Sequence, residues 1–212
     1  AATSDQNDPT TVADVLSASF TPVSDEQCGH DFSTATQYND FGDGLSMATA
    51  FEIGNETQLD HLANTNTDWT TDKYFILCKD IDMSGIAATQ IGTNSSSRVF
   101  NGNFNGNNKE IQNFSSTSGG VFGYVKDAEV YDLTIRDSVL TCGSYCGTLI
   151  NYIYPALVDI EDVKVVGNSS LTCSGHSCGG IIGYITTGSD LEINNILNES
   201  DVTTNNASTS RV

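Results

Sequence analysis

One histidine, His176, lies between two cysteines in the run Cys173-Ser-Gly-His-Ser-Cys178. Two thiolates and an imidazole are zinc ligands, so the run poses a metal site. It supplies only three local ligands, and the sister run Cys142-Gly-Ser-Tyr-Cys146 has no histidine. The two runs read better as disulfide-pinched turns presenting Tyr145 and His176. A disulfide lowers loop entropy and lets a short turn hold its tip rigidly against a ligand. Tyr145 and His176 are the candidate ligand-binding pair, and no metal ligand is assigned.

Carboxylates offer the next chemistry. Asp80 and Asp82 are alternate residues, so on a strand they share a face. With Ser84 they could supply oxygen ligands to a hard cation such as calcium, or serve as an acid pair. The competing reading is a turn whose Asp side chains accept from backbone amides, and it is preferred. Asp40 and Asp43, with Asn39, loosely resemble a calcium loop but lack the EF-hand order, so a structural turn is again expected. No cofactor is expected, calcium being the one cation these groups would suit. His-Glu-x-x-His, Gly-x-Ser-x-Gly and P-loop patterns are absent, so no catalytic residues are assigned.

These residues are positioned by a repeat. Gly119-Gly120-Val121-Phe122-Gly123-Tyr124, Gly147-Thr148-Leu149-Ile150-Asn151-Tyr152 and Gly179-Gly180-Ile181-Ile182-Gly183-Tyr184 are copies, their tyrosines 28 and 32 residues apart. Each is followed by an apolar run read as an alternating strand: Val130–Ile135, Ile160–Val165 and Leu191–Ile196. Such a unit cannot bury its own apolar face and becomes stable when neighbours stack on it. Period-two alternation cut by polar turns means strands, and about 30 residues with three short strands suits one coil of a parallel β-helix. The expected column of stacked core residues is Val121, Leu149 and Ile181.

Upstream, Phe51-Glu52-Ile53 reads as a strand. Asn55 and Thr57 are candidate caps for a short helix carrying Gln58, Leu59, Leu62 and Ala63, placed to close one end of the solenoid. Lys73–Cys78 is a strand. The Asn-Gly steps of Phe100-Asn-Gly-Asn-Phe-Asn-Gly-Asn-Asn108 are expected to supply positive-φ turn positions. Thr11–Leu16 suggests a helical turn, and residues beyond 200 lose the pattern.

The chain has 212 residues, with 8 basic against 27 acidic side chains and a formal charge of −19. Phosphate binding needs clustered Lys and Arg, so nucleic acid is excluded as a partner, as is an anionic membrane. No apolar run is long enough to span a bilayer, so no direct membrane insertion is expected. The chain begins without Met or a signal peptide and reads as a mature or excised segment. Six cysteines in this composition favour an oxidising compartment. Two pairings fit: Cys142–Cys146 and Cys173–Cys178 within turns, or Cys142–Cys173 and Cys146–Cys178 between coils about 4.8 Å apart. The within-turn set is preferred, leaving Cys28 with Cys78. The Asn-x-Ser/Thr sequons at Asn55, Asn94, Asn113, Asn168, Asn198 and Asn206 are attributed to composition.

The ordered set Phe51-x-Ile53-x4-Gln58-Leu59, Asp80-Ile81-Asp82-Met83-Ser84-Gly85, Ile91-Gly92, Phe100-Asn-Gly-Asn-Phe-Asn-Gly-Asn107, Ile111-x-Asn113-Phe114 and Gly120-Val121-Phe122-Gly123 resembles the GLUG-repeat family of large bacterial surface and secreted proteins. The resemblance spans about residues 42–200. Thr148 and Asn151 stand where the sister repeats have glycine, and Asn105 and Asn108 replace the usual Asp and second Gly of the family's turn. The resemblance implies a right-handed parallel β-helix used as a stalk or binding region in adhesin-like proteins, without general catalytic residues. The expected organisation is an irregular N-terminal cap (residues 1–45), a GLUG-like solenoid (46–200) and a C-terminal tail (201–212). The expected function is a non-enzymatic extracellular binding module at the bacterial cell surface, recognising a cell-surface or matrix glycan or protein through exposed turns. A purely structural stalk and a β-helix carbohydrate-active enzyme are the alternatives.

Overall fold

A computed structural model describes residues 27–70, 72–94 and 98–205. The reading of Thr11–Leu16 therefore lies outside the described residues. The chain is a parallel β-solenoid of about four turns with little helix. Strands β1 (Phe51–Ile53), β2 (Tyr74–Leu77) and β3 (Ile81–Asp82) begin it. The first full coil is β4 (Asn103–Gln112), β5 (Ser115–Ser116) and β6 (Phe122–Val125). The second is β7 (Ala128–Arg136), β8 (Val139–Cys142) and β9 (Ile150–Ile153). The third is β10 (Leu157–Glu161), β11 (Lys164–Val166), β12 (Ser170–Cys173) and β13 (Ile182–Ile185), and β14 (Asp190–Asn194), β15 (Leu197–Asn198) and β16 (Asp201–Thr204) start the next.

Stacking these coils makes three parallel sheets. The first runs β1-β2-β4-β7-β10-β14, the second β5-β8-β12-β16 and the third β6-β9-β13. Pairing carries each apolar position onto its counterpart one coil away. Phe51, Phe75, Phe104, Val130, Ile160 and Ile193 form one inward column. Val121, Leu149 and Ile181 line up too: Ile91 N–H donates to Val121 O, Phe122 N–H to Leu149 O, and Leu149 N–H to Ile181 O. Val121 and Leu149 are buried, and Ile181 packs partly buried on the same core. On the last described strand of each sheet the inward residues Ile185, Ile193 and Val202 are 40–47% exposed, because no described strand stacks beyond them. Strand β16 pairs with β12 four residues into the segment read from sequence as a tail.

The other end is closed. Helix α1 (Glu56–Asn64) starts where Asn55 Oδ1 accepts from Gln58 N–H at 2.8 Å, and it buries Leu59 and Leu62 in the core that holds Phe51. Asn55 Nδ2 donates to Phe32 O and Ala35 O, and the fully buried Gln58 donates to Gln37 O and Glu52 O. These bonds fasten the irregular segment before β1, as does the disulfide between Cys28 and Cys78.

Two local readings need correction. The Asn-Gly run does not make turns: most of it lies in β4, and the positive φ values fall on Asn107 (50°) and Asn108 (56°), not on Gly106. A Cβ at Gly106 would meet Leu133 Cα at 2.6 Å, so this glycine admits the neighbouring backbone. The strands after each repeat are not simply alternating either. Asp132, Asp162 and Asn195 have φ of 54°, 53° and 49° and bend each coil at the same level. Asn and Asp tolerate this left-handed conformation better than other side-chain-bearing residues. The bend splits β10 from β11 and β14 from β15.

Candidate ligand-binding site

In each coil the residue before the last of the third-sheet strand points outward and is a tyrosine. Register pairs Tyr124 with Tyr152 and Tyr152 with Tyr184. Their rings stack with centroids 5.0 and 5.1 Å apart and planes within 29° and 27°. Tyr154 flanks the row on one side, 5.1 Å from Tyr152 and 5.9 Å from Tyr124. Tyr145 flanks the other, edge-on to Tyr152 at 5.4 Å and to Tyr184 at 4.9 Å.

The sequence-predicted pair joins this row. Tyr145 N–H donates to His176 O at 3.0 Å, and the His176 ring meets Tyr145 edge-on at 5.1 Å. Ser144 Oγ lies 3.3 Å from His176 Nδ1. Two stacked turns hold them there. Tyr145 and Ser177 adopt φ of 60° and 61°, and disulfides join Cys142 to Cys146 and Cys173 to Cys178 with Cα separations of 6.2 and 6.4 Å. Cys142 is the register partner of Cys173, and Cys146 of Cys178, so the turns lie one coil apart. A Cβ at Gly183 would meet the Tyr145 carbonyl carbon at 2.5 Å, so glycine lets the Tyr145 turn lie against the third sheet. His176 faces Tyr145 and Ser144; the sulfurs of Cys142, Cys146 and Cys173, all held in disulfides, lie within 4.8 Å of one another.

Sequence reasoning missed Tyr124, Tyr152, Tyr184 and Tyr154. The first three marked the repeat, and their position immediately before the inward Val125, Ile153 and Ile185 would have placed them together on the outer face of a strand. Burial, then the neighbouring phenols, raises the pKa of Tyr124 and Tyr152 above the ordinary phenol value. Tyr154 Oη donates to Asn94 Oδ1 at 3.2 Å. Among the described residues, the hydroxyls of Tyr124, Tyr145, Tyr152 and Tyr184 have no hydrogen-bond partner.

The carboxylates weighed for calcium serve backbone and amide groups. Asp82 Oδ1 accepts from Ser84 N–H at 3.0 Å and Asn113 Nδ2 at 2.8 Å, which, Asn113 first, lowers its pKa. Asp80 Oδ1 accepts from Glu110 N–H at 2.9 Å. Asp40 accepts from the amides of Thr36 and Gln37, and Asp43 from that of Leu45. The middle repeat's departures are bridges between coils. Asn151 accepts from Gly120 N–H and Gly147 N–H and donates to Ser118 O, and Thr148 Oγ1 donates to Gly180 O.

No family model matches this chain, and no curated protein matches it. Among solved structures it is similar to one described as a "putative immunoglobulin A1 protease from Bacteroides ovatus", at 17% identity and a TM-score of 0.47 over 79% of this chain and 71% of that one. A likeness at that level says nothing of what this chain does. Among the described residues no helix is long and apolar enough to cross a membrane.

Proposed function

We propose that this chain is a non-enzymatic extracellular binding module of a bacterial surface adhesin, taking a glycan or protein ligand on the outer face of its third sheet. The tyrosine row with its two disulfide-held turns carries the reading. Tyrosine provides a large, stiff, amphipathic contact surface at low entropic cost, which is why it dominates recognition surfaces. Here six aromatic side chains, Tyr124, Tyr145, Tyr152, Tyr154, Tyr184 and His176, touch in one patch on a rigid scaffold. Cysteine usage and the likeness to the GLUG repeats support the extracellular setting. Binding to a glycan array and to whole cells tests it, with Tyr152→Ala compared against the paired Tyr145→Ala/His176→Ala variant. Both variants should lose most of the binding while keeping the far-UV spectrum and unfolding midpoint. Undiminished binding by both would place the ligand elsewhere on the solenoid.

A further inference from the structure

We infer that the ligand is an uncharged glycan chain laid along the solenoid axis, one sugar ring to each tyrosine rung. This rests on the binding reading above and narrows it. The first support is spacing. The rungs repeat at 5.0 and 5.1 Å. Same-face side chains of an extended peptide repeat at about 6.6–6.8 Å and fall out of step by the second rung. A chain of linked pyranose rings advances by close to one rung per sugar.

The second support is chemistry. Because the rings stack on one another, their faces are largely covered and the row turns phenol edges and hydroxyls outward. All three of those hydroxyls, and that of flanking Tyr145, are without a partner among the described residues. A phenol hydroxyl both donates and accepts, which matches a ligand made of hydroxyl groups. An amphipathic helix would instead require an apolar groove.

The third support is charge. The chain carries −19, yet the six side chains in contact across the patch are five phenols and one imidazole, with no carboxylate, ammonium or guanidinium among them. Among the described residues the patch holds no Lys or Arg side chain to pair with a uronic or sulfated polymer. Tyr145 and Tyr154, inclined 88° and 59° to Tyr152, wall the row on both sides and set the direction of the chain.

Calorimetric titration of the whole chain tests this. The probes are one- to six-residue oligomers of β-1,4-linked glucose, mannose and N-acetylglucosamine, with oligogalacturonate and sulfated oligosaccharides as charged comparators. At least one neutral series should bind, its Kd falling tenfold or more from monosaccharide to trisaccharide and less than threefold beyond the tetramer. Tyr152→Phe should weaken binding about two- to tenfold through one lost hydrogen bond, and Tyr152→Ala by more. Preference for the charged oligomers, or affinity independent of length, overturns the inference. So does failure of every neutral series; if Tyr152→Ala still abolishes cell binding in that case, the tyrosine face stands as the binding site and only its glycan ligand falls. If Tyr152→Ala and Tyr184→Ala leave both saccharide and cell binding intact, the tyrosine face itself falls.

Discussion

Replacing Asn151 by alanine tests whether the irregular middle repeat is structural. The Asn151 side chain is 5% exposed and joins three backbone groups of two coils. Its Oδ1 accepts from Gly120 N–H at 3.0 Å and Gly147 N–H at 3.2 Å, and its Nδ2 donates to Ser118 O at 2.6 Å. Gly120 and Gly147 are buried, whereas Ser118 is exposed and its carbonyl can turn to water. Alanine therefore orphans two buried amides. Each orphaned amide costs about 1–3 kcal/mol. Gly147 contributes toward the low end because its bond is the longer, and water entering the vacated space offsets part of the remainder, which leaves about 3 kcal/mol. For a chain of this size that lowers the thermal midpoint by roughly 6–12 °C. Urea unfolding followed by far-UV circular dichroism measures it, and the m-value should stay unchanged because the coil count does not change. A loss under about 1 kcal/mol would mean that the two amides find other acceptors, and that Asn151 does not bind these coils together.

The disulfide of Cys28 and Cys78 closes a separation of 50 residues, so the double serine variant should lose about 4 kcal/mol in the loop-entropy account. The same change at Cys142 and Cys146, separation 4, should cost about 2 kcal/mol and show mainly as weaker ligand binding. Asp159 faces Glu129 and Glu192 in register, and burial, then Glu192, raises its carboxyl pKa. Its charged form is thus disfavoured in the folded chain, a penalty present at neutral pH and relieved as pH falls through the folded pKa. Asp159→Asn should stabilise the chain by about 0.5–1 kcal/mol at pH 7, with the gain vanishing in acid on parallel melts. Glu110 has the opposite sign: Arg136 donates to it at 2.7 and 2.8 Å and lowers its pKa. Glu110→Gln should therefore cost about 0.5–1 kcal/mol at pH 7, the difference closing as pH falls through the lowered folded pKa.

The fold was legible because a solenoid repeats its grammar. Val121, Leu149 and Ile181 could be aligned from spacing alone, and Asn55 with Gln58 carried the helix start in residue types. What escaped was legible in principle. Apolar residues fall at Val130, Leu133 and Ile135, and at Ile160, Val163 and Val165, a gap of three and then of two. That extra residue is the left-handed Asp132 or Asp162, and a reading that expects strict alternation passes over it. Gly106 misled for another reason. Its role is to make room for a neighbouring coil, which depends on stacking register and not on local sequence. The site was half legible: the cysteine turns drew attention to Tyr145 and His176, while the three tyrosines of the row were counted as punctuation.

Parallel register multiplies whatever a position carries, and this cuts both ways. Inward, it turns a phenylalanine or isoleucine every coil into a continuous core. Outward on the third sheet it turns one tyrosine per coil into a surface that no single loop could hold. Outward on the first sheet the same rule lines Glu129, Asp159 and Glu192 against one another, and Asp159 Oδ1 is buried without a hydrogen-bond partner among the described residues. Coils that served only to stack would gain from neutral residues there. Cross-strand aromatic pairs stabilise a sheet, so the aligned tyrosine rings also serve the solenoid as a ladder. That ladder needs only the rings. The hydroxyls of Tyr124, Tyr145, Tyr152 and Tyr184 make no hydrogen bond among the described residues, and it is on those hydroxyls that the proposed binding surface rests.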